Sequence, residues 1–290
     1  MAKVPRLAAG RARALGVATR GTTHPNRLRR MDRWIAATLG PRLRRVGTPL
    51  VVDLGYGATP ITTLELSARL PFARLLGLEI DPQRVAAASP SADPPRLEFA
   101  RGGFELAGRR PHLVRAANVL RQYDEAAVGA AWASMQAALD PHGSIVEGTC
   151  DEIGRLGSWV HLDAQQPLSL TIAVSLPHLQ RPSEVAARLP KALIHRNVAG
   201  EAIHRLLVDA DAAWDSAAPL AVFSAEQRWI AMAARLAQDW PLLDRRNRWR
   251  YGEITVAWDA VSERRSARWS NQLARRSRTA PRPSAADSGR

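Results

Sequence analysis

Apolar positions recur along this chain with two different periods, and the switches between them outline the elements. Leu28, Met31, Ile35 and Leu39 stand three, four and four residues apart, which is one face of a helix, and Gly40 with Pro41 ends the run. Thr22, Thr23, His24 and Pro25 supply its start signal. Short apolar runs at 50–54, 75–80 and 112–120, and an alternating segment at 97–101, read as strands. Runs of this kind suit parallel strands buried on both faces. Helical patterns follow at 61–70, at 82–88 and at 128–139, where Val128, Trp132, Met135 and Leu139 form one stripe. Four β-α units in succession, with connections of the length right-handed crossovers need, predict a parallel sheet. Later the pattern changes: Leu168, Leu170, Ile172, Val174 and Leu176 alternate strictly with small or polar residues, and 253–261 alternates again and closes the sheet. Between these two strands lie helical segments at 183–194, at 199–217 with Ile203, Leu207, Ala210 and Trp214 in line, and at 224–239. Ser224 and Gln227 form a capping box at the head of the last.

Candidate chemistry concentrates where the first strand turns. Leu50, Val51, Val52, Asp53, Leu54, Gly55, Tyr56, Gly57, Ala58, Thr59 and Pro60 read as strand, tight turn and helix start. Glycine allows positive φ and close approach of a ligand to the backbone; Thr59 is placed to cap the helix and Pro60 to occupy its first turn. A dinucleotide fingerprint would carry glycine or alanine at position 60 and would not place the carboxylate of Asp53 beside a diphosphate. A ligand bearing a sulfonium and an ammonium would be drawn to that charge.

Asp53 followed by Gly55 and Gly57 resembles the first motif of the class I S-adenosylmethionine (SAM)-dependent methyltransferases, with Thr59 in the place of the third glycine. Further motifs follow in order. Glu79 ends the second strand where the family places an acid for the ribose hydroxyls, a charged hydrogen bond of the stronger kind; Asp81 reads as the cap of the helix begun by Pro82. After the third strand, Phe104 is placed to face the adenine ring, and Glu105 or a backbone group at Gly103 or Phe104 to meet its amine. Asn118, with Arg121 and Tyr123 as weaker candidates, stands at the fourth-strand exit, which in the family faces both methyl group and acceptor. The segment is not the Asn-Pro-Pro-aromatic sequence of amino-methylating relatives. Residues 139–149 resemble the turn into a fifth strand, with His142 in place of a frequent glycine. The resemblance covers residues 46–150. It implies SAM as cofactor, held by Asp53, Gly55, Gly57, Glu79, Gly103, Phe104 and Asn118. The expected fold is α/β and doubly wound: a mostly parallel seven-stranded sheet with an N-terminal helix and a helical insertion between late strands.

The expected domains are a basic arm and N-terminal helix (1–45), a methyltransferase domain (46–262) whose insertion at 183–240 covers the substrate, and a basic disordered tail (263–290). Methyl transfer is an in-line displacement that depends on placement of the acceptor, and an acidic acceptor also needs a base. Asn118, Glu147, Asp151 and His161 are the catalytic candidates, with Glu152 and Asp163 near them. No histidine spacing suggests a metal, His195 and His204 being nine apart. Cys150 is the one cysteine, which excludes an internal disulfide and fits a reducing, cytoplasmic setting. Apolar runs fall short of the ~20 residues of a membrane span, and no signal-peptide pattern opens the chain. The net charge of +14 is not evenly spread. Residues 1–45 carry 12 basic and 1 acidic side chains, 46–244 carry 17 and 22, and 245–290 carry 12 and 4. The acceptor is therefore expected to be a small molecule or a protein side chain. The alternatives are an RNA methyltransferase guided by the basic termini and a SAM-binding regulatory domain without activity.

Overall fold

The structure, a computed structural model, describes residues 24–262; the basic arm before residue 24 and the tail from 263 lie outside the described residues. Among the described residues ten α-helices and eight strands follow in this order: α1 (Arg29–Thr38), α2 (Gly40–Arg45), β1 (Leu50–Leu54), α3 (Ile61–Arg69), β2 (Arg74–Glu79), α4 (Pro82–Ala88), β3 (Leu97–Arg101), β4 (Leu113–Ala117), α5 (Glu125–Ala138), β5 (Ser144–Cys150), β6 (Leu156–Leu162), β7 (Pro167–Val174), α6 (Lys191–Ile194), α7 (Ala202–Ser216), α8 (Ala225–Leu236), α9 (Arg246–Trp249), β8 (Glu253–Ala257) and α10 (Trp258–Val261).

The strands form one sheet in the order β3-β2-β1-β4-β5-β6-β7-β8. The first five pair in parallel and the last three add on antiparallel. Eight strands replace the expected seven because β6 carries no alternation to read. Its residues are buried on both faces, and Gly157 and Ser158 interrupt the apolar run. Helices cover both faces, which makes the sheet doubly wound. On one side α1, α2 and α3 pack Trp34, Ile35, Leu43 and Leu66 against Val51, Leu75 and Trp159. On the other, α5, α7 and α8 pack Trp132, Leu206 and Trp229 against Val52, Val160 and Leu170.

Several local expectations shift for identifiable reasons. Helix α1 starts only at Arg29, because Asn26 takes a left-handed φ of 61° and the chain turns there. The helical pattern at 183–194 splits into a 3-10 helix (Pro182–Arg188) and α6, since the residue before Pro190 is held extended. Thr59 does not cap α3; the cap position falls on Pro60, and no side-chain cap forms. Asp81 does cap α4, accepting from the Gln83 amide at 2.9 Å, and Ser224 caps α8, accepting from Gln227 at 3.1 Å. No helix among the described residues is long and apolar enough to cross a membrane.

Sheet order alone locates the candidate cleft. β1 has β2 on one side and β4 on the other, so the chain leaves these two neighbouring strands in opposite directions. A crevice opens beyond their carboxyl ends, the usual ligand position in open α/β sheets.

Candidate functional site

At that crevice the turn after β1 needs glycine. Gly55 and Gly57 have φ of 69° and 89°, a region that L side chains rarely enter. Glu79, at the end of β2, is 1% exposed and lies directly across from the turn. One of its oxygens accepts from the Gly57 amide at 3.1 Å, the other from the Ile80 amide at 3.0 Å, and Arg84 stands 3.6 Å away. Each carboxylate oxygen can still accept a further hydrogen bond beyond these. Beyond β3, Glu105 accepts from the Gly103 amide at 2.7 Å, while its second oxygen is buried with no hydrogen-bond partner. Phe104 and Tyr123 lie against each other with ring centroids 5.4 Å apart, which joins the loop after β3 to the loop after β4. Glu79 thus ends β2, and the loops after β3 and β4 carry the second carboxylate and the aromatic pair.

Asn118 marks the end of β4 with a left-handed φ of 61°. Its side chain is spent on the neighbouring strand: Oδ1 accepts from the Cys150 amide at 3.0 Å and Nδ2 points at the Cys150 sulfur at 3.4 Å. It therefore ties the exits of β4 and β5 together, and this occupation does not match the expected side-chain contact to a ligand.

Asp53 requires a correction. Expected as a free charge drawing a cation, it is 2% exposed and faces the side of the sheet covered by α1 and α3. Arg115, its direct partner across β1 and β4, donates to both its oxygens at 2.9 and 2.7 Å, and Thr63 adds a bond at 2.7 Å. Asp32 on α1 completes the cluster, 2.5 Å from Arg115. Burial pulls the Arg115 guanidinium down, but the two carboxylates outweigh it and hold it above its ordinary value. Burial pushes Asp32 up to about 6, against the pull of Arg115. Asp53 thus braces the turn from below and presents no charge to the crevice.

The candidate bases are also dispersed. His161 lies at the opposite end of the sheet, 2.9 Å from Ser144 at the start of β5; burial, then the nearby Arg42, pushes its pKa down to about 4, so it stays neutral. Glu147 lies in mid-strand, fully buried under α5, with neither oxygen hydrogen-bonded. Burial lifts it to about 8, and the indole of Trp132 beside it pulls only weakly the other way. Asp151 does stand at the fifth-strand exit, but it accepts from the Arg155 amide at 2.7 Å and so closes the β5–β6 turn. The structure does not bring these residues together. No group of three or more metal-ligating side chains occurs among the described residues.

What the exit of β4 and β5 does gather is arginine. The Arg27 Nε donates to the Asp151 carbonyl at 3.0 Å, and Arg121 donates to the Ala187 carbonyl at 3.2 Å. Arg188 is held over the β5–β6 hairpin by its own carbonyl, which accepts from Thr149 and Ser158, both at 2.5 Å. Arg188 was not legible as a site residue, since its placement depends on two hydroxyls 39 and 30 positions away.

No family model matches the sequence, and no curated protein matches it. Solved structures do. CalO1, a methyltransferase in calicheamicin biosynthesis with SAH bound, is similar at 18% identity over 35% of this chain and 31% of its own, with a TM-score of 0.30. Human N-acetylserotonin methyltransferase in complex with SAM is similar at 20% identity over 39% of this chain and 34% of its own, with a TM-score of 0.31. An S-adenosylmethionine-dependent methyltransferase from Mesorhizobium loti is similar at 22% identity over 38% of this chain and 52% of its own, with a TM-score of 0.30. The chain thus spans between about a third and about half of the length of these proteins, and the assignment of a ligand rests on its own side chains.

Proposed function

We propose that this chain is a SAM-dependent methyltransferase acting on a small molecule or a protein side chain. The observation that carries the reading is Glu79. It is a buried carboxylate at the end of β2, next to the topological switch point, tethered to the amide of the positive-φ turn, with an aromatic pair and a second acid in the loops after β3 and β4. Such a combination suits a neutral or cationic nucleoside and repels a diphosphate. Glu79 would accept from the two ribose hydroxyls, Phe104 would lie on the adenine face, and the free oxygen of Glu105 would accept from the adenine amine. SAM supplies the methyl carbon on its sulfonium. The protein's part is to hold the acceptor atom in line, roughly 3 to 3.5 Å from that carbon.

Calorimetric titration tests the cofactor. SAM and S-adenosylhomocysteine (SAH) are expected to bind, and Glu79→Ala to weaken SAH at least tenfold, since two charge-assisted hydrogen bonds are lost. Binding of NAD or ATP with SAM and SAH ignored would overturn the reading. Tritium transfer from SAM into a cell lysate then separates an enzyme from an inactive SAM-binding domain.

A further inference from the structure

We infer that the folded body carries a surface for single-stranded nucleic acid, a row of arginines gathered around Tyr251 along the rim of the crevice. The inference goes beyond the proposed reaction and does not depend on it, since it concerns what the protein binds outside the crevice.

One ring collects three guanidinium groups. The central carbons of Arg33, Arg250 and Arg248 lie 4.4, 5.0 and 5.6 Å from the ring centroid of Tyr251, a residue 37% exposed. Arg33 comes from α1, and the other two from α9 and the residue that ends it, so the ring joins two helices. Trp249 fixes α9 in turn, its indole donating to Asp244 at 2.8 Å. The row then continues toward the β5–β6 turn. Arg30 donates to the Tyr251 carbonyl at 3.3 Å and to the Gly154 carbonyl at 3.0 Å, and Arg29 donates to the Ile153 carbonyl at 2.8 Å.

Strand directions place this row beside the crevice. β6 runs antiparallel to β5, β7 to β6 and β8 to β7, so the start of β8 lies at the same end of the sheet as the carboxyl end of β5. Glu253 opens β8 there, opposite Ala173 near the end of β7.

The fold neutralises only part of the charge. Glu253, fully buried, pairs with Arg33 at 2.7 Å and also with Arg248. Arg30 is held by carbonyls and Arg250 by the ring, with no carboxylate in ion-pair contact with either among the described residues. The turn adds Asp151 and Glu152 at one end of the row, and Asp151 gives one oxygen to the Arg155 amide. A line of separated positive charges matches successive phosphates better than it matches a single anion. Guanidinium planes and a tyrosine ring also offer flat faces on which bases stack, a match that lipid headgroups do not make.

The test is fluorescence anisotropy on the full chain, with a labelled single-stranded RNA of mixed sequence about 16 nucleotides long and the same sequence as DNA. At least one is expected to bind, more weakly as salt rises. Arg250→Gln is expected to weaken it at least threefold and to lower the slope of log K against log salt by about 0.7, the share of one phosphate contact. Tyr251→Leu removes the ring and no charge, and is expected to weaken binding at least threefold as well. Arg181→Gln removes the same charge from an exposed pair with Asp215, and binding should stay within twofold. The basic arm and tail are present in every variant, so they cannot produce these differences. Binding of neither strand, full affinity in Arg250→Gln, or an equal loss in Arg181→Gln overturns the surface. Full affinity in Tyr251→Leu, or capture by vesicles of equal parts phosphatidylserine and phosphatidylcholine with both strands ignored, overturns the nucleic-acid assignment. SAH affinity should stay within twofold throughout, and a protein that ignores SAH yet passes these comparisons would defeat the cofactor reading alone.

Discussion

Two arginines, one within β4 and one just past its exit, sit in opposite surroundings. Arg115 in mid-strand is fully buried and surrounded by Asp32, Asp53, Thr63 and the Thr62 carbonyl. A few residues later the exposed Arg121 donates to the Ala187 carbonyl. The first arginine has its counter-charge inside the chain and holds α1 and the turn after β1 onto the sheet. The second is tied to the fold by a neutral carbonyl. A buried charge with its partners inside the chain belongs to the fold; an exposed one held by a single carbonyl contributes little to it.

The largest expected effect breaks the first cluster. Arg115→Met would strand two carboxylates in the interior, and removal of one member of a buried ionic group typically costs about 3–5 kcal/mol. Urea unfolding should show that loss. Arg121→Gln, by contrast, should stay within about 0.5 kcal/mol of the parent, as surface substitutions do. Equal losses in the two variants would show that both arginines hold the fold alike.

A third buried charge sharpens the contrast through pH. Glu147 has no ionic partner, and burial lifts it to about 8. Its folded pKa is raised above the unfolded value, so its contribution is fully present below about 4.5, the ordinary value, and is lost as pH rises through about 8. Stability should fall by up to about 1.4 kcal/mol per pH unit in this window. Glu147→Gln should remove that slope above about pH 6, below which Asp32 and Asp244, both raised by burial to about 6, add slopes of their own. An unchanged slope in chemical denaturation between pH 5 and 8 would show that Glu147 is solvated or paired.

Much of this architecture was legible because β1 to β4 announce themselves as apolar runs separated by helical stripes. The misreadings come from facts that pattern does not carry. An acid at the end of a strand looks the same whether it faces the turn or the covered side of the sheet. Asp53 shares the face of Val51, under α1 and α3, and the clue was Arg115, a lone charge in an apolar strand that had to find a partner. Nothing in the spacing of the arginines of α1 reveals their partners, yet Arg29 and Arg30 donate to the carbonyls of Ile153 and Gly154, and Arg33 pairs with Glu253. Arg188 reaches the β5–β6 hairpin through contacts that no local spacing reveals.

A smaller loss than at Arg115 is expected in the turn between β5 and β6. Gly154 there has a φ of 67°, and a Cβ would lie 2.2 Å from the Arg27 carbonyl. Gly154→Ala therefore adds left-handed strain and displaces the backbone of Arg27, for a loss of roughly 1–2 kcal/mol. Urea unfolding should show that loss while SAH affinity, measured by calorimetry, stays within twofold, because the turn lies apart from Glu79 and Glu105. A variant as stable as the parent would show that the contact between this turn and the start of α1 relaxes freely.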